Sequence, residues 1–362
     1  MRPRLQTMIG RVTLKNPLIA ASAEHLIDAE GIRAALAAGA GAVVVKSTNE
    51  VQAAKDQLQR AEYMVLDEFW RPIPWGSDAP PAATIACRSG LTPQPFDEWL
   101  EQAVRLDREA MQIDSLVIPS LILGDLDHAV AMARQVEAAG LRVLEFNIGT
   151  PYASQAAKGA VSTELNPERI AAIVSRMRAA ISMPLWIKVT GQSEKVPELA
   201  RAAFQAGADS VVMAGRLLGF LPDVETMTPF LGTSLGIGGY WNLPLTCHWL
   251  ASTRLALGAD RPLIGINGAQ NGLDIARMML AGASAVGIAS PVMLRGYGVL
   301  TGALAEFEAY LARKGLDATA LIGEAVNHRK TFAQMPLRAD NWRRYIPETG
   351  GACREQPVGA PE

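Results

Sequence analysis

Four times in this chain a helical stretch ends in Ala-Gly and an apolar run follows at once. The copies are AGAGAVVVKS (38–47), AAGLRVLEFNIG (138–149), AGADSVVMAG (206–215) and AGASAVGIAS (281–290). Glycine closes a helix in the left-handed conformation that other residues avoid. The run that follows is apolar without clean alternation, as in a strand buried on both faces of a parallel sheet. Eight such runs are legible, near 17–22, 42–47, 116–122, 142–148, 183–189, 209–214, 262–267 and 284–289. Helical segments near 30–38, 96–112, 127–138, 167–180, 196–206 and 272–281 lie between them. Asn166 followed by Pro167 marks one helix start as N-cap and first-turn proline. Eight alternating units predict an α/β fold, a (β/α)8 TIM barrel. An open doubly wound sheet is the competing arrangement, but it usually carries fewer strands.

The 362 residues exceed what such a barrel needs, and the excess sits in three places. Residues 48–95 and 215–244 are long connections after strand ends, on the face where barrels build active sites. Residues 326–362 form a C-terminal tail, which leaves 1–325 as the barrel domain.

Composition removes several function classes. Hydrophobic residues make up 49% and charged residues 19%, which excludes a disordered chain. A net charge of −2 supplies no field for nucleic acid or an anionic membrane surface. No apolar run approaches the length of a membrane helix, and no long apolar stretch follows the basic N-terminus as in a signal peptide. Cys87, Cys247 and Cys353 form no C-x-x-C, so no iron–sulfur or zinc site is expected. So few thiols fit a reducing cytoplasm. Four scattered histidines with no H-E-x-x-H predict no catalytic metal.

In a barrel, polar residues at C-terminal strand ends face the substrate. Here these are Ser22, Lys46, Ser47, Asn147, Thr150, Lys188, Thr190, Asn267 and Ser290. Two lysines closing apolar runs, in VVVK and LWIK, point to an anionic or electron-rich ligand, since a buried ammonium needs a partner. The stretches GINGAQNG (265–272) and GIAS (287–290) follow the last two strands, where backbone N–H groups often cradle phosphate. His25, Arg71, Lys158, Arg216 and His248 are further polar candidates, each with an ordinary structural alternative.

The ordered set of motifs resembles the class 1 dihydroorotate dehydrogenase family and the matching barrel of dihydropyrimidine dehydrogenases. The resemblance spans about residues 8–314, through NPLIAASA, VVVKS, SGL, LEFNIGTP, IKVT, GIGG, GINGAQNG and GIAS. It implies an FMN-dependent barrel. It assigns Ala21, Ser22, Lys46, Ser47, Asn147 and Lys188 to the flavin ring and its ribityl chain. It assigns Gly238, Gly239, Asn267, Gly268, Ala289 and Ser290 to the phosphate and its glycine turns. Two departures stand out. Thr150 occupies the position of the family's proton-transferring cysteine or serine. Cys87, Tyr152 and Gly215 replace asparagines that hold the family's pyrimidine, and Arg216 adjoins them.

The resemblance therefore implies a cytoplasmic FMN oxidoreductase acting on a CH–CH bond of a small ring substrate other than dihydroorotate. Thr150 would assist proton transfer and Lys188 would stabilise the reduced flavin. A homodimer and a separate electron-transfer partner are expected on the same ground. Two other readings remain at this point. One is a lyase or aldolase with Lys188 as Schiff-base former. The other is a flavin-binding subunit that works only inside a larger assembly.

Overall fold

The computed structural model describes residues 4–149, 166–213, 215 and 217–346. The chain divides into two compact units, Met1–Asn327 and His328–Glu362. In the second, the described residues form short 3-10 turns, Phe332–Gln334 and Asn341–Tyr345, the first closed by a Thr331/Gln334 capping box.

The first unit is built on nine short parallel strands. They are β1 Leu18–Ala20, β2 Ala42–Val44, β3 Leu116–Ile118, β4 Ser120–Ile122, β5 Leu144–Asn147, β6 Leu185–Lys188, β7 Ser210–Met213, β8 Leu263–Ile266 and β9 Ala283–Ile288. Their order is β3-β2-β1-β9-β8-β7-β6-β5-β4. The two ends of that order are consecutive in the chain, separated only by Pro119. The strand expected at 116–122 is thus two strands. Proline has no N–H to give a ladder, so β3 pairs with β2 while β4 turns to pair with β5. The sheet comes round on itself through that junction, as a TIM barrel requires.

Each strand splits its side chains by period two. Leu18, Val43, Leu144, Phe146, Ile187 and Val286 pack outward against the helices. Ile19, Val44, Ile118, Trp186, Val212 and Ile264 point inward. The hairpin Thr7–Ile9/Val12–Leu14 joins the inward cluster through Ile9, Val12 and Leu14. Thr7 Oγ1 donates to Ser284 O at the start of β9, so the hairpin closes the end of the barrel where strands begin. Asn166 caps its helix by accepting from Glu168 N and Arg169 N. Gly39, Gly140, Gly207 and Gly282 all take positive φ after their helices.

The two long connections contain more order than their sequences announce. They contribute to one five-stranded antiparallel sheet in the order Leu217–Gly219, Leu235–Gly239, Thr84–Arg88, Glu62–Leu66, Pro72–Ile73. Gly236 pairs with Cys87 and Gly238 with Ile85. The GIGG motif is therefore strand rather than turn.

Candidate active site

The C-terminal strand ends and the five-stranded sheet border a cleft of about 1180 Å³, counting its open mouth. Ile85, Leu91, Ile122, Ile266 and Ile288 supply apolar lining. Eleven of the twelve residues expected to hold a cofactor line this one cleft: Ala21, Ser22, Lys46, Ser47, Asn147, Lys188, Gly238, Asn267, Gly268, Ala289 and Ser290. Cys87, expected at the substrate, lines it too. Gly239 does not; a Cβ there would meet Ala83 O at 2.9 Å. Gly215 sits just behind, its Cβ direction 3.8 Å from Lys188 Cε. Thr150, Tyr152, Lys158 and Arg216 lie outside the described residues. Arg71 pairs with Asp67 away from the cleft lining, and His248 stacks edge-on with Trp249.

The two rim lysines converge on the cleft, and each meets a carboxylate. Lys46 Nζ lies 2.6 Å from Glu24 Oε1 and also donates to Ser89 Oγ at 3.2 Å. Ser89 Oγ donates in turn to Glu24. Burial alone would raise the Glu24 pKa, but the charge of Lys46 and hydrogen bonds from Lys46, Ser89 and Tyr63 outweigh it and hold it at about 2. Tyr63, opposite Cys87 in the five-stranded sheet, lines the cleft beside this pair. Its buried hydroxyl interacts with the Glu24 carboxylate and Ser89, and burial, with the Glu24 charge, pushes its pKa up. His25 follows Glu24, and burial pushes its imidazole down to about 4, with the nearby charge of Glu24 opposing.

Lys188 Nζ stands 3.6 Å from Glu145 Oε1, whose side chain is only 4% exposed. Glu145 lies between the outward Leu144 and Phe146, so alternation aims it into the barrel. Ser120 Oγ donates to Glu145 at 2.8 Å, and Ser47 and Ser120 hydroxyls lie 2.8 Å apart. Ser22 Oγ is 3.4 Å from Ser47 Oγ and donates to Val45 O. A chain of hydroxyls thus runs under the rim from Ser22 to the Lys188 pair.

At the far side of the cleft, Asn267 takes φ 74° and Gly268 φ 112°. A Cβ on Gly268 would lie 2.5 Å from Leu243 N, so only glycine fits this turn. Asn242 Nδ2 donates to Asn267 Oδ1 and Thr246 Oγ1 to Asn267 O, which fixes the turn against the preceding helix, Leu243–Leu257.

The family model described as dihydroorotate dehydrogenase matches residues 79–311, well over half of the chain. The chain belongs to the dihydroorotate dehydrogenase family. It is 29% identical over 204 residues to dihydroorotate dehydrogenase A (fumarate) of Lactobacillus helveticus, covering 56% of this chain and 64% of that protein. It is 28% identical over 318 residues to the dihydroorotate dehydrogenase B (NAD(+)) catalytic subunit of Methanocella arvoryzae, covering 87% of this chain and 96% of that protein. The corresponding subunit of Methanocaldococcus jannaschii is 28% identical over 240 residues, 65% of this chain and 76% of that protein. With the Lactobacillus relatives the match therefore spans somewhat less than two thirds of their length.

Within this dihydroorotate dehydrogenase family member, four polar residues in or behind the cleft wall escaped the sequence reading. Glu145 carried a signal, a lone carboxylate inside an apolar strand. Glu24 stood two residues past Ser22 in the same turn. Ser89 stood at the head of the SGL motif, whereas Tyr63 carried no signal, because only the antiparallel sheet brings residues 62–66 to the cleft. Among the described residues no cluster of potential metal ligands occurs, and no helix is long and apolar enough to cross a membrane.

Proposed function

We propose that this chain is an FMN-dependent oxidoreductase acting on a CH–CH bond of a ring substrate other than dihydroorotate. The observation that carries the reading is the convergence of Lys46, Lys188 and the Asn267–Gly268 turn on one apolar-walled cleft. The donor set fits a flat cofactor with a phosphate tail. Ammonium groups, hydroxyls and the Asn147 amide stand at the strand ends, and isoleucines offer apolar faces. The Gly268 turn and the Ala289–Ser290 backbone give the close approach that a phosphate needs. Ala21, Ser22, Lys46, Ser47, Asn147 and Lys188 would hold the ring and its chain. Gly238, Gly239, Asn267, Gly268, Ala289 and Ser290 would hold the phosphate end. FMN bound there supplies hydride chemistry that no side chain offers.

This chain's own residues do the rest. Lys188, held by Glu145, sets positive charge where the reduced ring accumulates negative charge. The apolar walls keep water from the reacting atoms. Thr150 exchanges a proton at the second carbon of the bond, and Cys87, Tyr152, Gly215 and Arg216 shape the substrate end. Replacement of amides by Cys87, Tyr152 and Gly215 removes hydrogen bonds that would hold dihydroorotate, which supports a different ring substrate. The relatives named for fumarate and NAD(+) support a separate electron acceptor, and we assign this chain to a cytoplasmic homodimer. The Schiff-base alternative needs a free amine, whereas Lys188 is ion-paired.

An absorbance spectrum of the purified protein, with chromatography of any released cofactor, tests this reading. A flavin band and released FMN are expected, followed by anaerobic bleaching with dihydro-heterocycles. A colourless protein that takes up no added FMN would overturn it.

A further inference from the structure

Among the described residues that line the cleft, the only cations are Lys46 and Lys188. Both face a carboxylate, Glu24 and Glu145 respectively. The cleft therefore contains two ammonium groups and no net positive charge from its described walls. The two pairs differ in kind. Glu145 is fully enclosed in the barrel, whereas Glu24 itself lines the cleft and is 21% exposed. Glu24 is anchored by Lys46 and Ser89, so its charge is fixed at the ligand's edge. Beside it, the buried Tyr63 hydroxyl also interacts with the Glu24 carboxylate, which adds to that anchoring.

We propose that Glu24 is the specificity-determining residue of this cleft: by occupying Lys46 it excludes ring substrates that carry a carboxylate. The cleft then selects an uncharged ring. A ligand carboxylate entering here meets the Glu24 anion in the cleft wall. It would also have to displace Glu24 from Lys46. Like charges brought together in that way carry the largest discrimination a small site can offer. The inference rests on the oxidoreductase reading for the location of the ring, but its test is a binding measurement.

FMN content of the purified protein is determined first, which separates failure of the cofactor reading from failure of this one. The flavin-loaded protein is then titrated with orotate and with uracil, the same ring with and without its carboxylate. Perturbation of the flavin spectrum and equilibrium dialysis report binding. Wild-type protein is expected to favour uracil over orotate by about tenfold or more, the size of one charge-assisted hydrogen bond. Glu24→Gln removes the anion and frees Lys46, so orotate affinity should rise by about tenfold or more while uracil affinity changes little. Should Glu24→Gln fail to fold, Glu24→Asp withdraws the carboxylate from Lys46 and should give a smaller gain of the same sign. Wild-type protein that binds orotate as well as uracil overturns the proposal. So does an absence of any orotate gain in a folded Glu24 variant, including the case in which neither ring binds the wild type.

Discussion

Lys46 and Lys188 close two apolar runs that look alike in the sequence, yet the structure gives them different companions. Lys188 belongs to the barrel. Its partner Glu145 lies on the adjacent strand β5, in a ladder that places Asn147 opposite Lys188 and Glu145 opposite Trp186. Hydroxyls of Ser120 and Ser47 back it from two more strand ends. Lys46 belongs to the cover. Its partner Glu24 comes from the turn after β1, and Ser89 comes from the first long connection. The barrel thus builds one ion pair from elements that eightfold alternation fixes. The other pair depends on segments that vary without disturbing the barrel. The difference teaches where chemistry is held constant and where selectivity can change.

The strongest way to break the comparison is Lys188→Met. It strands Glu145 deep in the barrel without its counter-charge, at a cost of about 3–5 kcal/mol. Urea unfolding should register that loss, together with loss of retained flavin. The double variant Lys188→Met/Glu145→Gln should recover most of the stability but not the flavin electronics. Equal stability of Lys188→Met and wild type would show that the pair is not a structural unit.

Lys46→Met comes next and carries a pH signature. The folded Glu24 pKa is depressed from 4.5 to about 2, so its ionised form stabilises the fold above 4.5. That contribution is lost as pH falls from about 4.5 to about 2. In Lys46→Met the carboxyl titrates nearer its ordinary value, so this part of the acid slope should flatten. Acid titration of stability by circular dichroism checks it; an unchanged slope would remove Lys46 as the cause.

His25, beside the same pair, acts at higher pH. Its folded pKa of about 4 lies below the ordinary 6.5 because burial disfavours the imidazolium. Between those values the unfolded chain holds a proton that the folded chain lacks. Stability should fall as pH drops from 6.5 toward 4, approaching about 1.4 kcal/mol per pH unit. His25→Phe should abolish that slope in urea titrations at pH 7 and pH 5.

The smallest expected effect is Ser120→Ala. It removes one hydrogen bond to Glu145 while Lys188 remains, for about 1–3 kcal/mol in the same unfolding measurement. A larger loss than in Lys188→Met would invert the ranking of charge over hydroxyl in the barrel interior.

Much of the cleft was legible because strand ends are legible. Once VVVK and LWIK read as strands, the lysines had to stand on one rim, and the Asn267–Gly268 turn had to face them. Pro119 was visible too, but only pairing showed that it divides a strand in two. Tyr63 was beyond reach, since no local pattern announces that residues 84–88 pair with both 62–66 and 235–239. The mutual contact of Lys46 and Glu24, 22 residues apart, was equally hidden.

The sequence by itself determined the barrel, its rim and the family, because four helix-closing glycines and eight apolar runs are short-range signals. The tertiary structure alone decided which carboxylate neutralises which lysine and which hydroxyl reaches the cleft. Those choices depend on antiparallel pairing between distant segments and on burial that strengthens charge interactions, and neither is written in any local stretch of residues.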